Sequence, residues 1–258
     1  MRFIRYQLGS EQPRYGWIYE DYVGPIDGSL LGEYRRMEAE IPLERVKLLA
    51  PVVPGKIVCV GRNYREHARE QNAEVPEIPL LFLKPPSSVI GPDETILLPP
   101  QSQQVEHEGE LAVVMGRQGS WIPIEEAMQY VLGFTVGNDV TARDLQRRDG
   151  QWTRSKGFDT FCPLGPWIET DVDIADVLIT CRVNDELRQM ASTREMVFTV
   201  PQLISFVSSV MTLQPGDVIL TGTPAGIGPL LEGDQVEVNI EGIGTLRNPV
   251  RLQPGRPR

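Results

Sequence analysis

Residues 106–116 read EHEGELAVVMG, an acidic stretch that runs straight into an apolar one. If Leu111 to Met115 is a buried strand, side chains alternate: Glu106, Glu108 and Glu110 share one face, and His107, Leu111, Val113 and Met115 share the other. Carboxylates two apart on a strand start from Cα atoms about 7 Å apart. That is close enough to converge on one hard cation through oxygen ligands, and costly to ionise without one. A solvated acidic strand end is the other reading of this stretch taken alone.

The surrounding composition is that of a globular chain. At 258 residues it can form one large domain, or a main domain with a small appendage. The 24 glycines and 22 prolines demand many turns and short elements, so a strand-rich α+β fold is expected rather than a helical bundle. Net charge is −10, and no run of Lys or Arg makes a basic stripe, which argues against a nucleic-acid partner. The N-terminus MRFIRYQLGS has no apolar signal core, and no stretch approaches the roughly 20 apolar residues of a membrane span. A soluble, cytoplasmic protein with no membrane partner is the expectation. Cys59, Cys162 and Cys181 are odd in number, far apart and without zinc-ligand spacing, so they read as reduced thiols, with Cys59 a core residue in KIVCVG.

Turn signals organise the chain. Phe3–Leu8 and Gly16–Tyr19 read as strands, with turns expected at Val23-Gly24-Pro25 and Ile26-Asp27-Gly28. Pro51-Val52-Val53-Pro54-Gly55 then punctuates the sequence, dividing a small N-terminal strand-rich unit (1–53) from a larger one (54–258). Lys56–Val60 reads as a strand, followed by a short helix with Asn63 as N-cap and Glu66 at the capping-box position, ended by Pro76 and Pro79. Strands follow at Leu80–Leu83, Ile96–Leu98, Glu110–Met115, Val131–Val140, Val177–Val183, Val218–Thr221 and Gln235–Ile240, with a short helix over Pro123–Tyr130. Pro201–Met211 reads as a helix with an apolar stripe of Leu203, Phe206, Val207 and Val210. The tail QPGRPR is expected to fray. Walker A, G-x-S-x-G and G-x-G-x-x-G patterns are absent, which removes most support for nucleotide and serine-hydrolase chemistry.

Three further polar clusters carry chemistry. Asp139, in GNDVTARD, closes an apolar strand and can supply a third oxygen ligand or cap a helix. His67 and Glu70, three apart, are neighbours on a helix face, where the carboxylate can orient the imidazole as a general base; a surface pair is the other reading. Arg143, Lys156 and the loop TGTPAGIG (221–228) offer cations and backbone N–H groups to an anion.

Taken together, KIVCVGRNYREHARE, LFLKPPSSVIGP, EHEGELAVVMG, GFTVGNDVTARDLQ, SKGFDTFCPLGP and ILTGTPAGIGP resemble the fumarylacetoacetate hydrolase family, in family order, from Lys56 to about Ile240. The first fifty residues resemble its smaller N-terminal unit. The resemblance implies a mixed β-roll catalytic domain and, usually, a homodimer. It implies that Glu108, Glu110 and Asp139 bind Mg²⁺, with Mn²⁺ or Ca²⁺ able to substitute, and that Glu106 stands outside the ligand set. His67 and Glu70 match the family's water-activating dyad, carried on a segment that closes over substrate. Lys156 and Arg143 match residues that hold the metal site or the substrate's oxygens, Gln146 one that steadies the lid, and Thr223 the loop that meets the substrate carboxylate. His107 becomes a structural neighbour. The implied substrate is a small 2-oxo acid, and the implied reaction is hydrolysis of a carbon–carbon bond in a 2,4-dioxo acid of the acylpyruvate or fumarylpyruvate type, through a metal-bound enolate. Oxaloacetate decarboxylation or tautomerisation, hydroxymuconate-type isomerisation, and metal or ligand binding without turnover are the alternatives.

Overall fold

Leu111, Val113 and Met115 pack in one apolar cluster with Ile179, Val238, Leu203 and Val207, while Ala112 and Val114 pack in another with Ile57, Cys59, Leu164 and Leu220. The expected alternation holds, and both faces of this strand are covered, which is why its sequence is apolar without interruption. The computed structural model describes residues 1–255. The strand, Gly109–Met115, lies inside a 13-stranded mixed sheet, between Val131–Asn138 and Val218–Leu220, both antiparallel to it. Val218–Leu220 runs parallel to Ile57–Gly61, which pairs in turn with Leu80–Lys84. On the other side, Cys162–Glu169 links Val131–Asn138 to the N-terminal strand Arg2–Gln7, and Arg14–Tyr19 and Tyr22–Gly28 continue the sheet. A five-stranded sheet that includes Leu178–Val183, Glu186–Ser192 and Gln235–Ile240 contributes Ile179 and Val238 to the first cluster.

Several local expectations are corrected. Val23–Gly28 is strand, not two turns: Gly16 pairs with Pro25, and a Cβ on Gly24 would strike the Trp17 ring at 2.3 Å, so the glycine there makes room for an aromatic ring. Asn63 does not cap the Arg65–Glu70 helix. Its amide donates to the Phe198 and Thr221 carbonyls and its Oδ1 accepts from the Phe198 N–H, so tertiary partners outcompete the local one. That helix ends at Glu70, well before Pro76. The Val131 strand stops at Asn138, leaving Asp139 free of the ladder. The Val200–Val210 helix buries Leu203, Ile204 and Val207, whereas Val210 is 61% exposed, because the stripe follows the neighbouring Ile124–Tyr130 turn rather than the helix end. The tail expectation falls partly on residues 256–258, outside the described residues. All three cysteines are buried, and burial pushes the Cys162 and Cys181 thiols up to about 12. Among the described residues no helix is long and apolar enough to cross a membrane.

Replacing the fully buried Leu111 by Ala should cost about 3 kcal/mol through lost transfer energy and the cavity left behind. Val210→Ala, at an exposed position, should stay within about 0.5 kcal/mol of the parent. Urea denaturation midpoints at unchanged slope measure both.

Candidate active site

The acidic stretch is two strands, Val105–His107 and Gly109–Met115, with the interruption at Glu108. Asn138 Oδ1 accepts the Glu108 N–H at 2.9 Å, and the Asp139 N–H donates to the Glu108 carbonyl at 2.8 Å. This pairing of two strand ends brings Asp139 beside Glu108 across thirty residues of chain. Carboxylate oxygens of Glu108, Glu110 and Asp139 lie within 4.8 Å of one another, and all three side chains are buried. Glu106 is turned away from that group: its Oε2 accepts from Arg143 Nε at 2.7 Å and its Oε1 from Gln104 Nε2 at 2.6 Å.

Three buried cations face the four carboxylates. Arg143 bridges Glu106 and Glu108 and donates to Gln146 Oε1 at 2.6 Å. Lys156 Nζ stands 2.8 Å from Glu108 Oε2 and 2.6 Å from Asp139 Oδ2. Lys84 Nζ, which the sequence reading left unassigned, stands 2.6 Å from Asp139 Oδ1 and donates to the Val140 carbonyl at 3.1 Å. Its signal was a lysine closing the apolar run LFLK, where a charge at a buried strand end requires a partner.

Among the described residues Glu110 has no cation of its own; it accepts the Gly222 N–H at 2.7 Å. The electrostatics follow. Burial alone would raise the Glu108 carboxyl, but Lys156 and Arg143 more than offset it and hold it well below the usual carboxylate range. Burial, reinforced by the charges of Asp139 and Glu108, pushes the Glu110 carboxyl well above that range. A buried, all-oxygen donor set with one negative charge in excess fits a hard divalent cation. Lys156 resists the effect of burial and is held above its ordinary value by Asp139 and Glu108, so it stays charged.

His67 and Glu70 meet as their spacing implied, with His67 Nδ1 3.2 Å from Glu70 Oε2 and Glu70 Oε1 accepting the Gly226 N–H at 3.0 Å. Burial raises the Glu70 carboxyl, but hydrogen bonds from His67 and Gly226 outweigh it and keep it ionised. A carboxylate accepts only, so Nδ1 carries the hydrogen and Nε2 is left with the basic lone pair. His67, Glu108, Asp139, Arg143, Gln146, Lys156 and Thr223 line one cavity of about 30 Å³, room for one or two waters. Glu70 and Glu110 do not line it: Glu70 meets the lining residue His67, and Glu110 neighbours the cavity through its oxygen's approach to Glu108 and Asp139. His107 is fully buried on the opposite face, 3.1 Å from Gln189 Oε1 and 3.4 Å from Cys181 Sγ, a Cys–His proximity invisible in the spacing of the sequence.

A family profile described as "Fumarylacetoacetate (FAA) hydrolase C-terminal" matches residues 56–251, and one described as "Rv2993c-like, N-terminal" matches residues 1–51. The mitochondrial oxaloacetate tautomerase FAHD2B of Bos taurus is 49% identical over 223 residues, covering 81% of this chain and 71% of that one. The structure of 5-carboxymethyl-2-hydroxymuconate delta-isomerase from Mycobacterium smegmatis superposes with a TM-score of 0.92 at 45% identity, over 98% of this chain and all of that one. Maleylpyruvate hydrolase from Sphingobium sp. SYK-6, in complex with manganese(II) and pyruvate, gives a TM-score of 0.81 at 31% identity, over 98% of this chain and 99% of that one.

Because burial and the neighbouring carboxylates raise the Glu110 carboxyl, a divalent cation entering the acidic group should compete with a proton there, so binding should release protons and its apparent affinity should climb as pH rises. Titration calorimetry of Mg²⁺ in buffers of different ionisation enthalpy measures that proton. Glu110→Gln should abolish both the release and most of the binding.

Proposed function

The chain belongs to the fumarylacetoacetate hydrolase family, and on that premise we propose that it is a divalent-metal-dependent enzyme that moves a proton beside the carbonyl of a small 2-oxo acid, converting enol and keto forms of an oxaloacetate-like substrate. The observation that carries this reading is the His67–Glu70 pair aimed into the same small cavity as Glu108, Asp139 and Lys156. The comparisons lean the same way: a tautomerase at 49% identity and an isomerase at 45% both rearrange their substrates, while a fumarylacetoacetate hydrolase from Exiguobacterium antarcticum stands at 38% and the maleylpyruvate hydrolase at 31%.

In this reading Glu108, Glu110 and Asp139 hold the metal, which when bound supplies positive charge to the oxygens of the 2-oxo acid. Lys156 adds a second positive charge beside them, ion-paired to Glu108 and Asp139, and helps to keep Glu108 ionised. His67 Nε2 moves a proton between oxygen and C3 of the substrate: in the enol-to-keto direction the neutral Nε2 takes the enol O–H proton, the C2–O bond becomes the carbonyl as the C2–C3 electron pair turns to C3, and the imidazolium just formed returns that proton to C3. Glu70 stabilises that imidazolium through Nδ1–H, and the Gly226 N–H keeps the carboxylate turned towards it. Arg143 holds Glu106 and Glu108 in place and, with Gln146, forms the wall of the cavity.

A second reading, hydrolysis of the carbon–carbon bond of a 2,4-dioxo acid, is favoured by one specific feature. The cavity beside His67 has the volume of a water, and the same base can activate one.

The test is a panel of oxaloacetate, acetylpyruvate and fumarylpyruvate assayed with and without Mg²⁺. Acceleration of the enol–keto conversion of oxaloacetate is expected, followed by loss of enol absorbance. Cleavage of a dioxo acid without that acceleration replaces the first reading by the second. His67→Ala should lower kcat by roughly 10²–10⁴-fold while leaving Mg²⁺ affinity near the parent value. An unchanged kcat removes His67 from the chemistry.

A further inference from the structure

Gln189 lies on the Glu186–Ser192 strand of the five-stranded sheet and is fully buried. It does not line the cavity, yet its amide is fully engaged by residues that do, or that lie next to them. Oε1 accepts the Gly109 N–H at 2.9 Å and stands 3.1 Å from His107 Nδ1. Nε2 donates to Thr223 Oγ1 and to the Pro224 carbonyl, each at 2.7 Å. The backbone partners fix the orientation of the amide, because a peptide N–H can only donate and a carbonyl only accept. His107 Nδ1 must therefore carry its ring hydrogen. The Thr223 hydroxyl, receiving from Gln189, passes its own hydrogen to the Gly109 carbonyl at 3.0 Å.

Two segments far apart in sequence are joined through this one amide. Gly109 sits between Glu108 and Glu110. The loop from Gly222 to Gly226 gives one N–H to Glu110 and another to Glu70. The loop also rests on the backbone beside Gln189: Gly226 has φ +99°, and a Cβ there would come within 1.9 Å of the Arg188 carbonyl oxygen. On the strand side, a Cβ on Gly109 would meet Val238 Cγ1 at 2.9 Å and Gln189 Oε1 at 3.4 Å. Contact is therefore close on both sides. Removing the amide strands the Gly109 N–H, His107 Nδ1–H and Pro224 carbonyl in a buried place, which the structure can relieve only by moving strand and loop apart.

We propose that Gln189 is a positioning residue for the reaction: it sets the spacing between the Glu108–Glu110 strand and the Thr223–Gly226 loop, and through the Gly226 N–H it sets the aim of Glu70 at His67. The role in turnover rests on the reading of His67 and Glu70 as the base; the structural coupling does not.

Gln189→Met matches the length and removes every hydrogen bond, while Gln189→Glu keeps the acceptors for Gly109 and His107 and loses both donors to the loop. With oxaloacetate and Mg²⁺, both variants should lose roughly 30–100-fold in kcat, as a misaimed base does. KM and calorimetric Mg²⁺ affinity should change by less than kcat, since the loop touches Glu110 through the Gly222 N–H and the cavity through Thr223 but carries none of the reacting groups. Ile240→Ala, farther along the Gln235–Ile240 strand, serves as a control for plain destabilisation of the same sheet: it should lower Tm and leave kcat of the folded enzyme unchanged. Amide hydrogen exchange gives a readout independent of turnover, with protection at Gly222 and Gly226 falling at least tenfold in Gln189→Met and unchanged in Ile240→Ala. Wild-type kcat in folded Gln189→Glu, or a kcat loss in Ile240→Ala matching its loss of stability, overturns the positioning role. If the parent enzyme turns over no substrate, the reading of the base fails, and hydrogen exchange alone decides: unchanged loop protection in Gln189→Met overturns the proposal.

Discussion

Four carboxylates crowd around one interruption in a buried strand, and the molecule has to neutralise them where they stand. Glu106, Glu108 and Glu110 arrive together because they are two apart on consecutive extended residues, and Asp139 arrives because the Asp139 N–H bonds back to the Glu108 carbonyl. Burying such a group uncompensated is far beyond what a fold of ordinary stability tolerates. Arg143, Lys156 and Lys84 are accordingly drawn in from three separate segments, and each is itself buried. They satisfy three of the four charges. Glu110, with only a peptide N–H, is the carboxylate that takes up a proton or shares a cation, so the chemistry of the site resides in the shortfall.

The sheets serve that arrangement. Gly109–Met115 is flanked on both edges and covered on both faces, so it is among the least mobile elements from which to project ligands. The His67–Glu70 pair is built differently. His67 and Glu70 sit on a six-residue helix too short to be stable alone, held instead by Asn63 and by the Gly226 N–H. A rigid strand of carboxylates facing a tethered short helix suits the proposed site, in which a substrate is admitted and a proton then aimed at it.

Much of this was legible in the residues. The pairing of His67 with Glu70 follows from helical spacing, the clustering of the glutamates from strand alternation, and the burial of Cys59 from its apolar neighbours. Where local chemistry misled, a distant partner had won. Asn63 looked like a helix cap and instead ties the Phe198 and Thr221 segments together; Val23–Gly28 carried turn residues and became a strand because Trp17 packs over Gly24. Lys84 carried one local signal, its place at the end of the apolar run LFLK, which calls for a partner without saying which; Gln189 carried none, since a lone Gln in a strand says nothing about what lies opposite.

The sequence by itself determined the kind of chemistry. Its carboxylates, its His–Glu pair and the order of its motifs point to the proposed hard-metal site with a base, because those depend on residue type and on periodicities of two and 3.6 that hold in any fold. The resemblance already set Glu106 apart from Glu108 and Glu110; the tertiary structure alone decided which cation answers which carboxylate, and that Glu110 is the odd one out among the described residues. Those outcomes depend on strand register and on charges brought together from positions 84, 143 and 156, and no local pattern encodes the distance between segments so far apart in the chain.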